Sequence, residues 1–491
     1  MTEGPMASTG HDEPRAAAGK LAGGKLGTAQ IFFFVVAAAS PLSVVLSSAP
    51  FSLRLGGIGA PGVILATGVV LMLFACGFTA MSHHIRNAGA FYAYIGQGLG
   101  GAAGGGTAMM TLTAYVLCVI GFVGNIGVFA QASAANVLHV DVPWQVWSLV
   151  CVAIVGAVGY GQIDVGAKVL AVLLTLEIGV LVVLLGAILV QGGPEGPSAA
   201  PFSVDNVFFA DGSGTLFLLA FGAYIGFEST AIYGEEAKSP KRTIPRATYF
   251  AVGFLALFYA FSFWVVVYGY GIDGALVASQ SNDYLGMVFV EADTYVGGAL
   301  VAALHLLIVT SFLMTIIAFH NASTRYMFSL SRDGMLPRAL ARTHSRMSSP
   351  HVASVVLSVI TFVAVVLAII AGLDPYLELG TWPYASGVIG IVAAQAICAL
   401  AVIAYFRRDR RGFSALRVIG APILGFLGLA AGLYLMISNF TVLSGYSGTL
   451  PNAIMIGVMP AAFVVGAVVQ SRRGTGLRLR VVGDVNIADM P

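Results

Sequence analysis

The sequence predicts an all-α polytopic membrane protein of about twelve transmembrane helices. Three observations predict it: an apolar composition, apolar runs near 20 residues long, and Lys and Arg gathered on one side of those runs. Of 491 residues, 58% are hydrophobic and 9% charged, and mean hydropathy is +0.90. A soluble domain carries about 25% charged residues. A helix crosses hydrocarbon in roughly 20 residues. Spans are expected at 30–53, 60–82, 106–135, 144–161, 166–190, 214–235, 246–271, 297–328, 351–372, 376–406, 418–438 and 450–470.

With the N-terminus placed in the cytoplasm, all but one of the 24 Lys and Arg fall on the cytoplasmic side. They cluster at Arg15–Lys25, Arg86, Lys168, Lys238–Arg246, Arg325–Arg346, Arg407–Arg417 and Arg472–Arg480, and Arg54 is the exception. Basic residues resist translocation, so the skew orients the chain with both termini inside. One missed or invented helix would invert everything after it and scramble the pattern. The opposite loops hold acids, among them Asp141, Glu195, Asp205, Asp273, Glu291 and Glu378. Acids tolerate export, which accounts for this; an electrostatic lure for cationic solutes is the other reading. A net charge of +2 with no basic domain gives no footprint for nucleic acid. Cys76, Cys118, Cys151 and Cys398 all lie inside spans without metal-ligand spacing, so neither loop disulfides nor a metal centre is expected. Residues 1–27 and 471–491 read as loose polar tails.

Two spans interrupt themselves. The first carries Ser40-Pro41-Leu42-Ser43, with Pro50 further on. A proline inside a helix removes one donor and displaces a carbonyl, and in hydrocarbon those groups need partners from protein, water or ligand. The sixth carries Phe221-Gly222-Ala223-Tyr224-Ile225-Gly226-Phe227-Glu228, two glycines four apart followed by an acid. These spans correspond if the first ten helices form two halves of five. Matched breaks point to a transporter's binding site, whereas single Pro or Gly residues serve helix packing.

The segment Ile225–Ala231 with Gly234–Ala247 resembles the amino acid–polyamine–organocation permease superfamily. Gly89–Tyr94, Gly124–Gly127 and Ser331–Pro337 match the same family in order, so the resemblance spans about residues 30–470. It implies a leucine-transporter-type fold: helices 1–5 (28–212) and 6–10 (213–411) as inverted repeats, with peripheral helices 11–12 (412–470). The implied activity is secondary transport of amino acids or related amines, with a small-molecule substrate and no cofactor.

Relatives hold the substrate carboxylate on a Gly-Ser-Gly core at the first break. Counting back from Pro50 puts that core on Ser43, Val44 and Val45, where the glycines are missing, and the break shifts to Ser40–Ser43. The resemblance therefore implies substrate contact at Ser40, Pro41, Leu42, Ser43 and Val44, and from the sixth helix at Tyr224 and Ile225. Phe221 is the stand-in for a gate aromatic that relatives carry at the position of Gly222. Asn125 matches a substrate-contacting asparagine, with an interhelical hydrogen bond as the alternative. Phe319 matches a pocket aromatic, with plain packing as the alternative.

Glu228 and Glu177 lie well inside their spans, where an ionised carboxylate costs roughly 2.5 kcal/mol or more. Such groups take up a proton more readily than they stay charged, so both are candidates for proton coupling; a structural role paired to a neighbouring helix is the alternative. Sodium coupling would need eighth-helix hydroxyls facing first-helix carbonyls, and Thr315 is the candidate, near Thr310 and Ser311. His305 and His320 suit helix-packing hydrogen bonds. The reading is a proton-coupled symporter in a bacterial inner membrane, with a homodimer as the oligomeric option. An exchanger, a sodium symporter and a nontransporting nutrient sensor are the alternatives. An enzyme is not expected, because no clustered nucleophile or acid/base set accompanies the solitary intramembrane acids.

Overall fold

The computed structural model describes residues 26–85, 91–161, 167–235, 237–344 and 349–472. Most of both tails, Arg86 with Gly89 and Ala90, and Glu236 lie outside the described residues. Helices account for nearly all of it, in order α1 (Thr28–Ala39), α2 (Pro41–Ser43), α3 (Ala49–Gly56), α4 (Ala60–Met81), α5 (Phe91–Leu99) and α6 (Gly101–Ser133). Then come α7 (Trp144–Gly161), α8 (Ala167–Gln191), α9 (Ser213–Ala223), α10 (Pro240–Tyr270), α11 (Ile272–Ser279) and α12 (Met287–Tyr295). The last are α13 (Gly298–Arg332), α14 (His351–Ala371), α15 (Trp382–Phe406), α16 (Ala421–Ser438), α17 (Phe440–Ser444) and α18 (Thr449–Arg472).

Ten helical runs among the described residues are long and apolar enough to cross a bilayer. The first, Thr28–Met81, has 54 residues, which at 1.5 Å each is far more than the roughly 30 Å of hydrocarbon. It breaks at Gly56–Gly59, where Gly57 has φ +71°, and so holds two passes. A further pass is made of two short pieces, α9 and the 3-10 helix Phe227–Glu235. Twelve passes result.

The two interrupted passes run antiparallel, side by side. At one end Leu26 pairs with Ala237, and the Lys238 amide donates to the Leu26 carbonyl at 2.8 Å. At the other, Gly56 packs on Gly212 too closely for any side chain at either position. The long α6 packs on α13, α15 and α18, while α10 lies along α4. Glycines permit these approaches: Gly121 and Gly124 of α6 abut the backbone at Gly380, and Gly105 abuts Gly466 of α18. The two lone histidines tie helices together. His320 Nε2 lies 2.9 Å from Ser354 Oγ, and His305 stacks on Phe289 with centroids 4.1 Å apart.

At the end away from Leu26, α11 and α12 fold over the helix ends. Tyr270 donates to the Met287 carbonyl (2.9 Å), Tyr295 to Gly269 (2.7 Å), and Gln191 to Tyr295 (2.6 Å). Arg54, the one cation outside the basic clusters, binds the Ser279 and Ser281 carbonyls and lies 4.6 Å from the Tyr284 ring centroid. Beneath α12, the Glu291 carboxyl is 2% exposed, and neither oxygen has a hydrogen-bond partner among the described residues. Burial holds it well above the usual carboxylate range. From about pH 4.5 upward the unfolded chain releases this proton while the folded chain keeps it, so its contribution is present at low pH and lost as pH rises. Glu291→Gln is expected to melt above the native protein at pH 7, with the gap closing below about pH 4.5, in thermal unfolding across pH 4–8.

Candidate functional site

The first interruption is a single residue deep. α1 ends at Ala39, Ser40 takes a left-handed conformation (φ 52°, ψ 67°), and Pro41 starts α2. Proline lacks the N–H that would continue the ladder, and its fixed φ suits a first helical turn. The freed groups are satisfied locally. The Ala39 carbonyl accepts Tyr259 Oη at 2.9 Å, and Ser40 N–H donates to the Val36 and Ala37 carbonyls. A π-turn follows at Val44–Ser48, where Ser47 Oγ donates to the Ser43 carbonyl (2.6 Å) and Tyr376 Oη to the Ser47 carbonyl (3.3 Å).

In the sixth pass α9 stops at Ala223, and the chain turns through Tyr224–Gly226 into the 3-10 helix. Gly226 has φ +111°, open to glycine and strained for other residues. A Cβ built there would stand 3.3 Å from Ala38 Cβ, so the two breaks touch, each about halfway along its pass. Glu228 follows at once and is 1% exposed. Its carboxylate accepts the Gly226 N–H at 3.0 Å, its own N–H, and Tyr115 Oη from α6 at 3.1 Å.

On the far side of the first break sits Glu177 of α8, 4% exposed. Ser311 Oγ of α13 donates to Glu177 Oε2 at 2.8 Å, and the Leu42 amide donates as well. Ser40 Oγ lies 2.7 Å from Ser311 Oγ, and Ser43 Oγ lies 2.5 Å from Ser40 Oγ. Each hydroxyl has one proton. With Ser311 giving its proton to Glu177, the donors align Ser43→Ser40→Ser311→Glu177, a hydroxyl chain from the break to the carboxyl. Ser311→Ala would strand the carboxyl oxygen and interrupt that chain, a loss of about 1–3 kcal/mol. A double-mutant cycle with Glu177→Gln in thermal unfolding is expected to return a coupling of about 0.5–3 kcal/mol.

These positions revise several sequence expectations. Ser311, not Thr315, is the α13 hydroxyl facing the break: Thr315 Oγ1 bonds back to the Ser311 carbonyl at 3.1 Å within its own helix. Phe221 turns its ring onto Gly432 of α16, away from the crossing, so it does not stand in for a gate aromatic. That space is taken by Tyr384 of α15, whose hydroxyl and ring sit over Gly222, where any side chain would collide. Tyr224 Oη reaches α4 and donates to the Ile64 carbonyl at 2.9 Å. Ile225, Leu42 and Val44 are buried at the breaks without polar side-chain roles.

Phe319 packs among aromatic rings. Its ring lies 5.8 Å from Tyr115 and 5.3 Å from Phe122, and Phe122 lies 5.2 Å from Tyr384. Asn125, one turn beyond Phe122, presses Oδ1 against Gly380, and that buried oxygen has no hydrogen-bond partner among the described residues. Tyr115 and Tyr384 were missed from the sequence because each enters from another helix, and Ser311 was noted only as a neighbour of Thr315. Only the small Gly222 hinted that some neighbour fills the gap. Two resemblance motifs also meet: Tyr92 donates to Asp333 Oδ2 at 2.9 Å and lies 2.7 Å from Ser329 Oγ.

A helical polytopic fold in which two interrupted helices meet at their breaks beside buried carboxyls is an arrangement on which membrane transporters build binding sites. The profile described as amino acid permease matches residues 30–470, and the chain belongs to that family. It is 24% identical over 220 residues to the branched-chain amino acid permease BcaP of Bacillus subtilis, covering 45% of this chain and 44% of that protein. An uncharacterised transporter of Mycobacterium tuberculosis is 27% identical over 316 residues, covering 61% of this chain and 66% of its own. The methylthioribose transporter of Bacillus subtilis is 22% identical over 242 residues, 48% of this chain and 47% of that one. The chain thus matches about half to two thirds of the length of these relatives. The crystal structure of a manganese transporter variant from Eremococcus coleocola superposes with a TM-score of 0.56 at 14% identity, covering 94% of this chain and 99% of that one. That likeness speaks to fold alone.

Proposed function

We propose that the chain is a secondary active transporter carrying amino acids or related amines across the cytoplasmic membrane by alternating access, driven by proton symport. Both termini face the cytoplasm in this reading, as the one-sided Lys and Arg clusters support. Residues 28–212 and 213–411 act as inverted repeats, which accords with the antiparallel run of the interrupted passes. The observation that carries the proposal is the contact of the two breaks, with Glu228 buried on one side and Glu177 on the other. A break supplies short, adjustable backbone to grip a small solute, and a buried carboxyl supplies a group that can take up and release a proton.

Coupling by protons is favoured over sodium by what fills the α1–α13 junction. A carboxyl and three serine hydroxyls are bonded to one another there, which suits a proton relay. The test is labelled uptake into proteoliposomes under an inward proton gradient, an inward sodium gradient, and neither. Acceleration by the proton gradient alone is expected. Acceleration by sodium alone would replace symport with the sodium reading, exchange without either gradient would indicate an exchanger, and no flux with any amino acid or amine would favour a nontransporting sensor.

A further inference from the structure

A groove follows α4 on the outer surface of the bundle. Gly253 of α10 sits against Met72, while Gly425 and Gly428 of α16 pack on Phe74 and Val70, so α10 and α16 flank α4 on opposite sides. Between them α4 presents a stripe of Val69, Leu73 and Cys76 at helical spacing, with Val69 61% exposed. Toward the basic clusters this stripe ends at Tyr249 of α10, whose Oη lies 2.9 Å from Thr79 Oγ1, and at Arg417 in the turn that leads into α16.

Cations close that end. Arg417 lays its guanidinium over Phe413, 4.9 Å from the ring centroid, and Arg411 lies over Tyr405 at 4.7 Å. His83 and His84, just after α4, pack edge-on against the same Phe413 at 5.4 and 6.0 Å. Lys241, in the first turn of α10, lies within electrostatic reach of both imidazoles. Three nitrogens of this cluster, Arg417 Nε, His83 Nε2 and His84 Nε2, are buried without a hydrogen-bond partner among the described residues. Leaving such groups unpaired is costly. Of the described charged groups acting on the two imidazoles, Asp409 is the one acid, and its Oδ1 already accepts the Arg411 N–H at 2.9 Å. Burial and the surrounding cations hold both imidazoles below their usual range. The sidedness of Lys and Arg accounts for cations at this face, but not for three buried nitrogens that lack acceptors.

Building on the reading that puts these helix ends at the cytoplasmic face, we infer that the groove is a binding site for an anionic phospholipid, its phosphate on the three unpaired nitrogens and its acyl chains along the α4 stripe. Phosphate oxygens supply the missing acceptors, and charge-assisted bonds from guanidinium and imidazole N–H groups are strong ones. A soluble anion would engage the cations alone, whereas a lipid also covers Val69 and Leu73. Basic pockets between helices on the cytoplasmic side hold anionic headgroups in this way. A zwitterionic lipid brings its own cation, which Arg411 and Lys241 would repel.

The test titrates delipidated full-length protein in neutral detergent with phosphatidylglycerol, phosphatidylcholine or inorganic phosphate, read by thermal shift and native mass spectrometry. Phosphatidylglycerol is expected to bind at least tenfold more tightly than phosphatidylcholine, with little effect of phosphate alone. Arg417→Gln should weaken phosphatidylglycerol at least tenfold, as should the pair His83→Ala and His84→Ala. Arg417→Lys, which keeps the charge that orients the chain but loses Nε, should fall between native and Arg417→Gln. Arg338→Gln removes an exposed cation after α13, outside this cluster, and should bind as the native protein does. Equal binding of the two lipids overturns the inference, and so does a phosphatidylglycerol preference untouched in both the Arg417 and histidine variants. An equal loss in Arg338→Gln would mean a diffuse attraction to the basic face and also overturns it. Stabilisation by inorganic phosphate as strong as by phosphatidylglycerol would replace the lipid with a soluble anion. None of these readouts involves flux, so the transport proposal stands or falls on its own test.

Discussion

Gly226→Ala is expected to cut initial uptake by roughly ten- to a hundredfold while leaving the protein in the membrane at normal yield. Two penalties combine at this residue. Its φ of +111° is a region where an L-residue is strained by about 1–3 kcal/mol. The added methyl would also stand 3.3 Å from Ala38 Cβ, closer than comfortable contact, so the breaks must separate to admit it. Relief comes from moving the sixth pass off the first, and that contact is where the proposed substrate grip forms. Gly57→Ala is the control. Gly57 also has positive φ (+71°), but a Cβ there meets nothing within 4 Å, so strain is added without touching the crossing. The control is expected to melt a few degrees lower and to retain most uptake. Equal loss in both variants would mean that backbone strain, and not the meeting of the breaks, accounts for the effect.

Glu228→Gln should abolish uptake driven by a proton gradient, at least a hundredfold, while substrate exchange persists at a tenth or more of native. Glutamine keeps the shape but cannot take up and release a proton. It keeps one acceptor oxygen for Gly226 N–H or Tyr115 Oη and points an NH₂ at the other, so part of the charge-assisted bonding is lost. Loading would still proceed, weakened, whereas coupling to pH would not. Uptake and counterflow, each measured across external pH 5.5–8.5, separate the two. A variant whose pH dependence matches the native protein would remove Glu228 from coupling and leave Glu177 as the carrier. Tyr115→Phe should shift the pH profile without removing it, because one donor to the carboxylate is lost and the proton site itself remains.

Much of the fold could be read along the chain. Expected spans at 144–161, 166–190 and 214–235 fall within a residue or so of Trp144–Gly161, Ala167–Gln191 and Ser213–Glu235. Loop helices such as Phe91–Leu99 and Met287–Tyr295 were not seen, since nine residues are too few to register as a span and owe their form to packing. Both breaks were visible too, because Pro41 and the pair Gly222 and Gly226 act through their own backbone chemistry. The candidate site was only half legible. Glu228 and Glu177 stood out as acids in apolar runs, and Asn125 and Phe319 came through resemblance. Thr315 was preferred to Ser311 because residues four apart share one helix face, and periodicity cannot tell which turn lies level with a neighbour's break. Phe221 and Gly222 were judged as neighbours on one strip of sequence, yet successive residues point about 100° apart, toward α16 and α15 respectively.

Hydrocarbon offers the backbone no partners, so apolar length, proline and glycine placement, and the sidedness of basic residues were enough to set the number of passes, their breaks and the residues at those breaks. Those are properties of the chain against its solvent. Which hydroxyl reaches Glu177 and which tyrosine covers Gly222 were decided only in three dimensions. Each depends on the rotation and depth of one helix relative to another more than a hundred residues away, and close packing alone sets those two quantities.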